Sequence, residues 1–176
     1  MIRWTPTVAL LASLALTAPA LAVYPPALKD DGKFFSKEGV EKANKKIRAI
    51  YENTKKDVIV ETIATLTPDQ VKKLEEDKPT KFFAKLTSDR SKEVGLNGVY
   101  ILMCKKPQYL RMHMDPDTQK KMFTASNRTA TIGKIVARFK EDEFDAGLLD
   151  GLKEIETILE ANSKEATKNP PKGDKR

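Results

Sequence analysis

Cysteine and histidine are nearly missing from this chain: its 176 residues include one of each, Cys104 and His113. A lone cysteine closes no internal disulfide and builds no zinc site of several thiolates. A lone histidine excludes every multi-histidine metal motif within one chain. No GxGxxG, Walker loop, GxSxG or HExxH occurs, so the chemistries those motifs carry have no foothold. A Ser-His-Asp or Cys-His pair would have to recruit His113, which falls inside a predicted strand rather than on a loop. There is no internal repeat. What remains is ordinary for a globular chain: 40% hydrophobic residues, 32% charged, and a net charge of +7. That composition excludes a coiled-coil rod, a collagen-like chain and a wholly disordered protein.

Residues 1–22 read as an address rather than as structure. Arg3 is their only charge, an apolar run covers Val8 to Leu16, and Ala20-Leu21-Ala22 offers the small-x-small pattern of a cleavage site. This is the layout of a secretory signal peptide. The alternative is a retained anchor, but Pro6, Pro19, Pro25 and Pro26 interrupt the uncharged stretch. No cysteine follows the cleavage site, so no lipid anchor is expected. The exported chain is expected in a periplasm, a lumen or the extracellular space, with no transmembrane segment after cleavage.

The body alternates helix and strand. Ser36 caps an amphipathic helix over about 36–56, with Val40, Ala43, Ile47 and Ile50 on one face. Asp57–Ala64 is β-branched and apolar, a buried strand. Thr67-Pro68-Asp69-Gln70 is a capping box opening a short helix over 68–76. A second piece over about 79–93 carries Phe82, Phe83 and Leu86. Asn97-Gly98 precedes VYILMC, apolar on both alternating faces and therefore central in a sheet. The turn Lys105–Gln108 returns the chain antiparallel through Tyr109–Met114. Thr124 caps a further helix, and a last one covers about 143–161. The order predicts a three-layer α/β/α sandwich: a small mixed sheet, made of a parallel crossover pair plus an antiparallel hairpin strand, flanked by helices. Residues 23–161 form this domain. Residues 162–176 hold five basic and two acidic side chains and almost nothing apolar, and are expected to be a disordered basic tail. The tail lacks interleaved aromatics, which together with export argues against nucleic acid as a partner.

Carboxylates are the remaining candidates for chemistry. Asp30, Asp31, Asp57 and Asp115 lie at the ends of elements, and Asn97 directly precedes the central strand. Asp57, Asn97 and Asp115 are expected at one edge of the sheet. Convergent carboxylates and an amide oxygen suit a hard cation such as calcium. Asp-Gly and Asp-Pro are also ordinary turn chemistry, which accounts for Asp30, Asp31 and Asp115 without a metal. Glu61 interrupts an apolar strand and needs a partner, for which Arg111 and His113 across the sheet are the candidates.

Four segments, LKDDGKFFS, DVIVETIA, NGVYILM and FKEDEFDAGLLDGL, resemble the TPM domain family, which includes the acid phosphatase-like proteins of photosystem II repair in the thylakoid lumen. The resemblance runs from Asp30 to about Leu159. It implies an exported or lumenal α/β/α sandwich, calcium binding and, in some members, weak phosphatase activity. It reaches Asp30, Asp31 and Asn97-Gly98. Many members have a glycine-rich segment after the return strand; here MDPDTQKKMFTASNRT stands in its place, which weakens the case for phosphatase activity. Many also carry a C-terminal membrane helix, where this chain has its polar tail.

The resulting expectation is an exported, non-enzymatic module, calcium-binding and attached to envelope proteins or complexes. The alternative is a metal-assisted acid phosphatase in which Asp31, Asn97 and Asp115 hold the ion. A third reading is a structural protein whose tail docks on anionic surfaces.

Overall fold

The computed structural model describes residues 25–168, with side chains through Lys164. The elements are β1 (Lys29–Asp30), α1 (Lys37–Thr54), β2 (Asp57–Thr65), α2 (Pro68–Glu76), α3 (Pro79–Glu93), β3 (Gly98–Lys106), β4 (Tyr109–Met114), α4 (Pro116–Lys121), α5 (Ala125–Phe139) and α6 (Phe144–Lys168). The sheet runs β1-β2-β3-β4. The first three strands are parallel and β4 is antiparallel to β3.

Local chemistry sets the helix starts. Thr67 and Thr124 each form a capping box, with Gln70 and Asn127, and Ser36 accepts the amide of Gly39. Prolines occupy the first turns of α2, α3 and α4, where a missing N–H costs nothing. Gly95, at φ +63°, takes the left-handed conformation that ends α3. The charged turn Lys105–Gln108 is shorter than expected. Lys105 and Lys106 stay in β3, leaving Pro107 and Gln108 between the strands.

Period-two alternation divides the core. Val58, Val60, Val99, Ile101, Met103, Met112 and Met114 face α1 and α6, through Ala43, Ile47, Ile50, Leu148, Leu152 and Ile155. Ile59, Tyr100, Leu102 and Cys104 face α2 and α3, through Leu74, Phe82 and Phe83. The α/β/α sandwich is therefore present as expected, and Cys104 is a buried core residue. Phe83 and Tyr109 stack at 4.0 Å between ring centroids, pinning α3 to the start of β4.

Helix α5 packs on α6 and against β4, with Ile132 and Phe139 on the same core. Gly147 and Gly151 make that approach possible. A Cβ at Gly147 would come 2.7 Å from the Phe139 ring, and one at Gly151 would come 2.6 Å from Ile135. Ile135 is fully buried and has nowhere to swing. Gly151→Val is expected to cost about 1–3 kcal/mol by overpacking, read as a lowered midpoint in urea; an unchanged midpoint would show that the two helices can separate freely.

The last helix corrects the expected boundary at 161. It runs on to Lys168, because Asn162 Nδ2 donates to the Met122 carbonyl at 2.7 Å and ties the extra turn to the α4–α5 loop. Residues 169–176, and the whole of the expected signal segment 1–22, lie outside the described residues. No described helix is long and apolar enough to cross a membrane.

Candidate functional site

The edge of the sheet where β2 and β3 begin brings Asp57, Asn97 and Asp115 together, as their places at the ends of strands suggest. Asp57 and Asn97 are laced by two bonds. The Asp57 amide donates to the Asn97 carbonyl at 2.9 Å, and the Asn97 amide donates to Asp57 Oδ2 at 2.9 Å. Asp115 joins through its own amide, which donates to the Gly98 carbonyl at 3.2 Å. Its Oδ1 caps α4 by accepting the amides of Asp117 and Thr118, at 2.9 and 3.0 Å. A cation of the chain itself sits here: Lys56 Nζ donates to Asn97 Oδ1 at 2.6 Å.

Burial pushes the Asp57 carboxyl up, assisted by the Asp115 charge and opposed by the Asn97 amide and Lys56. Burial also acts to raise Asp115. The neighbouring Thr118 hydroxyl and amide, the Lys56 charge and the Asp117 amide outweigh it, and the carboxyl is held below its ordinary range. The two carboxylates are therefore driven in opposite directions within one edge of the sheet.

Asp30 and Asp31 are at the other end of the sheet. The register pairs Lys29 with Glu61 and Asp30 with Thr62, on the second half of β2. Asp57, at the start of β2, is five residues away along the strand, about 16 Å. Both carboxylate oxygens of Asp30 are occupied in organising the loop to α1. Oδ1 accepts the Phe34 amide at 3.0 Å and the Thr62 hydroxyl at 2.6 Å, and Oδ2 accepts the Phe35 amide at 3.0 Å. Asp31 is exposed and pairs with Lys29 at 3.1 Å. The five candidate metal ligands are thus divided, with Asp30 and Asp31 at one end of the sheet and Asp57, Asn97 and Asp115 at the other. Among the described residues no group of three or more His, Cys, Asp or Glu is placed to hold a metal.

Glu61 also differs from expectation. Its partners are Arg90, Tyr100 and Lys29, not Arg111 or His113. The register explains this. Arg111 lies opposite Leu102, which lies opposite Glu61, so β3 separates the two. Arg90 reaches over the sheet from α3 instead. The Glu61 side chain is 12% exposed. Burial pushes its carboxyl up, but hydrogen bonds from Tyr100 and Arg90 and the Arg90 charge hold it below the usual range. Burial and the Glu61 bond push the Tyr100 phenol well up.

Asp145 carries a role that the sequence does not signal. It accepts the Ser36 amide at 3.0 Å and the Ser36 hydroxyl at 2.5 Å, fastening the start of α6 to the start of α1. The local signs are an acidic residue in the first turn of one helix and a serine cap on another. Nothing in either segment says that they meet.

Besides a cleft of about 680 Å³ lined by Lys29, Glu61, Arg90 and Tyr100, two clefts flank these groups. One of about 680 Å³ lies at the Asp115 edge, between α3, the end of β4 and the start of α4, and includes His113. Another, of about 450 Å³, lies at the opposite edge and is lined by Phe34, Tyr109, Leu110, Phe139 and Phe144. His113 is held below its ordinary pKa by burial and by the charges of Arg111 and Arg128, with Asp115 opposing.

A three-layer sandwich on a short mixed sheet defines a small α/β domain. The TPM domain family matches residues 28–158, and the chain belongs to that family. Solved structures with the same fold include the N-terminal domain of a protein from P. gingivalis, with TM-score 0.62 and 15% identity, covering 78% of this chain and 84% of that one. The N-terminal domain of the cg2496 protein from Corynebacterium glutamicum has TM-score 0.57 and 12% identity, over 90% of each chain. The BA42 protein of the psychrophilic bacterium Bizionia argentinensis has TM-score 0.51 and 19% identity, over 74% of this chain and 84% of that one. At these identities the likeness is one of fold. No curated protein matches the chain.

Proposed function

We propose that this chain is an exported, non-enzymatic binding module that attaches to a protein of the cell envelope. One observation supports this reading: Asp31 stands at the opposite end of the sheet from Asn97 and Asp115, so these three candidate ligands do not meet at one ion. Several acidic groups already have partners. Asp30 and Asp145 clamp loops, Glu61 is enclosed by Arg90 and Tyr100, and Asp115 caps α4.

The test is a phosphomonoester assay with and without calcium or magnesium. No turnover above the blank is expected in either condition. Turnover that disappears in Asp31→Ala or Asp115→Ala would restore the phosphatase reading. Calorimetric titration with calcium is expected to give no saturable heat and no rise in unfolding temperature; a stoichiometric isotherm would overturn the non-metal part of the reading. Export is tested by mass spectrometry of the mature protein, for which the reading expects a chain beginning at Val23. A mature chain still beginning at Met1 would count against cleavage.

A further inference from the structure

The cleft of about 680 Å³ at the Asp115 edge sets two lysines against one carboxylate. Lys92 from α3, His113 from β4 and Lys120 from α4 line it, with Leu96, Met114 and Pro116 as its apolar part. Arg111 is two residues before His113 on β4, hence on the same face and about 7 Å away. The charges of Arg111, Arg128 and Lys92 all act on His113, although neither arginine is among the residues lining the cleft. Asp115 is the one carboxylate among the residues lining the cleft.

These cations are unspent. Neighbouring lysines are paired: Lys85 with Asp89 at 2.8 Å and Lys121 with Asp117 at 3.2 Å. Among the described residues, the side chains of Lys92, Arg111, Lys120 and Arg128 form no such ion pair and no hydrogen bond. The Nε of Arg111 is buried and has no acceptor. A buried guanidinium nitrogen without an acceptor is costly, and Asp115 Oδ2 and Thr118 Oγ1 are likewise buried without a partner.

We propose that this cleft is the docking surface for an acidic, partly apolar peptide segment of a partner protein. Its carboxylates would meet Lys92 and Lys120 and the neighbouring Arg111 and Arg128, and its apolar side chains would rest on Leu96 and Pro116. This names the partner-binding face of the module proposed above, and rests on that reading. Charge complementarity selects the occupant. The cations come from four separate elements and form a strip rather than a point. The nearby backbone donors are committed, Gly95 to the Lys92 carbonyl at 3.1 Å and Leu96 to the Ser91 carbonyl at 2.9 Å. No nest of free amides is offered there to a phosphate group.

The experiment is a titration of a fluorescein-labelled peptide of alternating Glu and Leu with the full chain, followed by anisotropy. A Lys–Leu peptide serves as control. Saturable binding is expected for the Glu–Leu peptide alone, weakening as salt is raised. Lys92→Gln and Arg111→Gln are each expected to weaken it about tenfold. Lys42→Gln, on α1 across the sheet, should leave it unchanged. Lys92 is exposed at the end of its helix, so its variant keeps the test decisive if Arg111→Gln does not fold. His113, the chain's only imidazole, gives an unambiguous NMR signal that should move on saturation with peptide. Equal binding by all variants, or a His113 signal that stays put, would overturn the proposal. So would displacement of the peptide by inorganic phosphate, or preferential binding to phosphatidylglycerol vesicles, which would assign the cleft to a phosphate ligand or a membrane. Failure here without phosphatase turnover removes the docking surface alone. Turnover lost in Asp115→Ala would remove the binding-module reading itself.

Discussion

Gly98→Ala is expected to destabilise the fold by about 3 kcal/mol or more, among the largest effects of any single methyl group in this chain. A Cβ there would land on the carbonyl oxygen of Asp57 and only 2.6 Å from its amide nitrogen. Both atoms are backbone and cannot rotate away as a side chain would. Nor can the strand shift. Gly98 is paired with Asp57 at the start of the parallel ladder, and its carbonyl accepts the Asp115 amide. Three strands are therefore registered through one residue, and relief at one contact breaks another. The measurement is urea unfolding, with a large fall in midpoint expected. A variant with the parent's midpoint would mean that the edge can open without loss, and that the Asp57–Asn97–Asp115 arrangement is not held by register.

The second large effect is expected at Glu61. Glu61→Ala would leave the Arg90 guanidinium and the buried Tyr100 hydroxyl without their shared acceptor. The cost of breaking such a pair is about 2–3 kcal/mol, below the fully buried case because Arg90 retains some contact with water. The pH dependence has a definite sign. The Glu61 carboxyl lies below its ordinary range in the folded chain, so its contribution is fully present above the unfolded value of about 4.3 and is lost as pH falls through the lower folded value. The stability gap between the parent and Glu61→Gln should accordingly be widest near neutral pH and close in acid. Chemical denaturation across that range measures it. A gap that is constant with pH would show that the carboxylate's charge does no work in the fold. A gap that widens in acid would reverse the sign of the coupling.

The elements whose ends are written in local chemistry are legible in the amino-acid sequence. Thr67-Pro68 and its Gln70 partner mark the start of α2, and Pro79 and Gly95 bracket α3. The alternation of Leu110, Met112 and Met114 against Tyr109, Arg111 and His113 is kept by β4. These signals are short-range: a cap or a proline acts within one turn, and alternation is a property of one strand. The end of α6 is not legible in this way. Residues after Ala161 are polar, and composition alone reads them as tail. The helix continues because Asn162 meets a carbonyl forty residues earlier, at Met122.

The candidate site divides along the same line. That Asp57, Asn97 and Asp115 share an edge follows from their places at strand ends once the crossover is read as parallel. That Asp30 and Asp31 do not join them depends on register. A two-residue strand such as β1 carries no pattern from which its pairing could be read. Glu61 shows the limit most clearly, because a charged residue in an apolar strand announces that it needs a partner without naming one. Its partner comes from a helix that packs over the strand, and so is set by the layering of the fold.

The sequence by itself determined the alternation of helix and strand, the sandwich and the TPM family, because each is a local or compositional property. Tertiary structure alone decided which acidic residues meet, which cations go unpaired beside β4, and that Asp145 holds Ser36. Those are relations between segments far apart in the chain, fixed by strand register and helix packing. The physical reason is that neither register nor packing is encoded in any one segment; both arise only when two faces are pressed together.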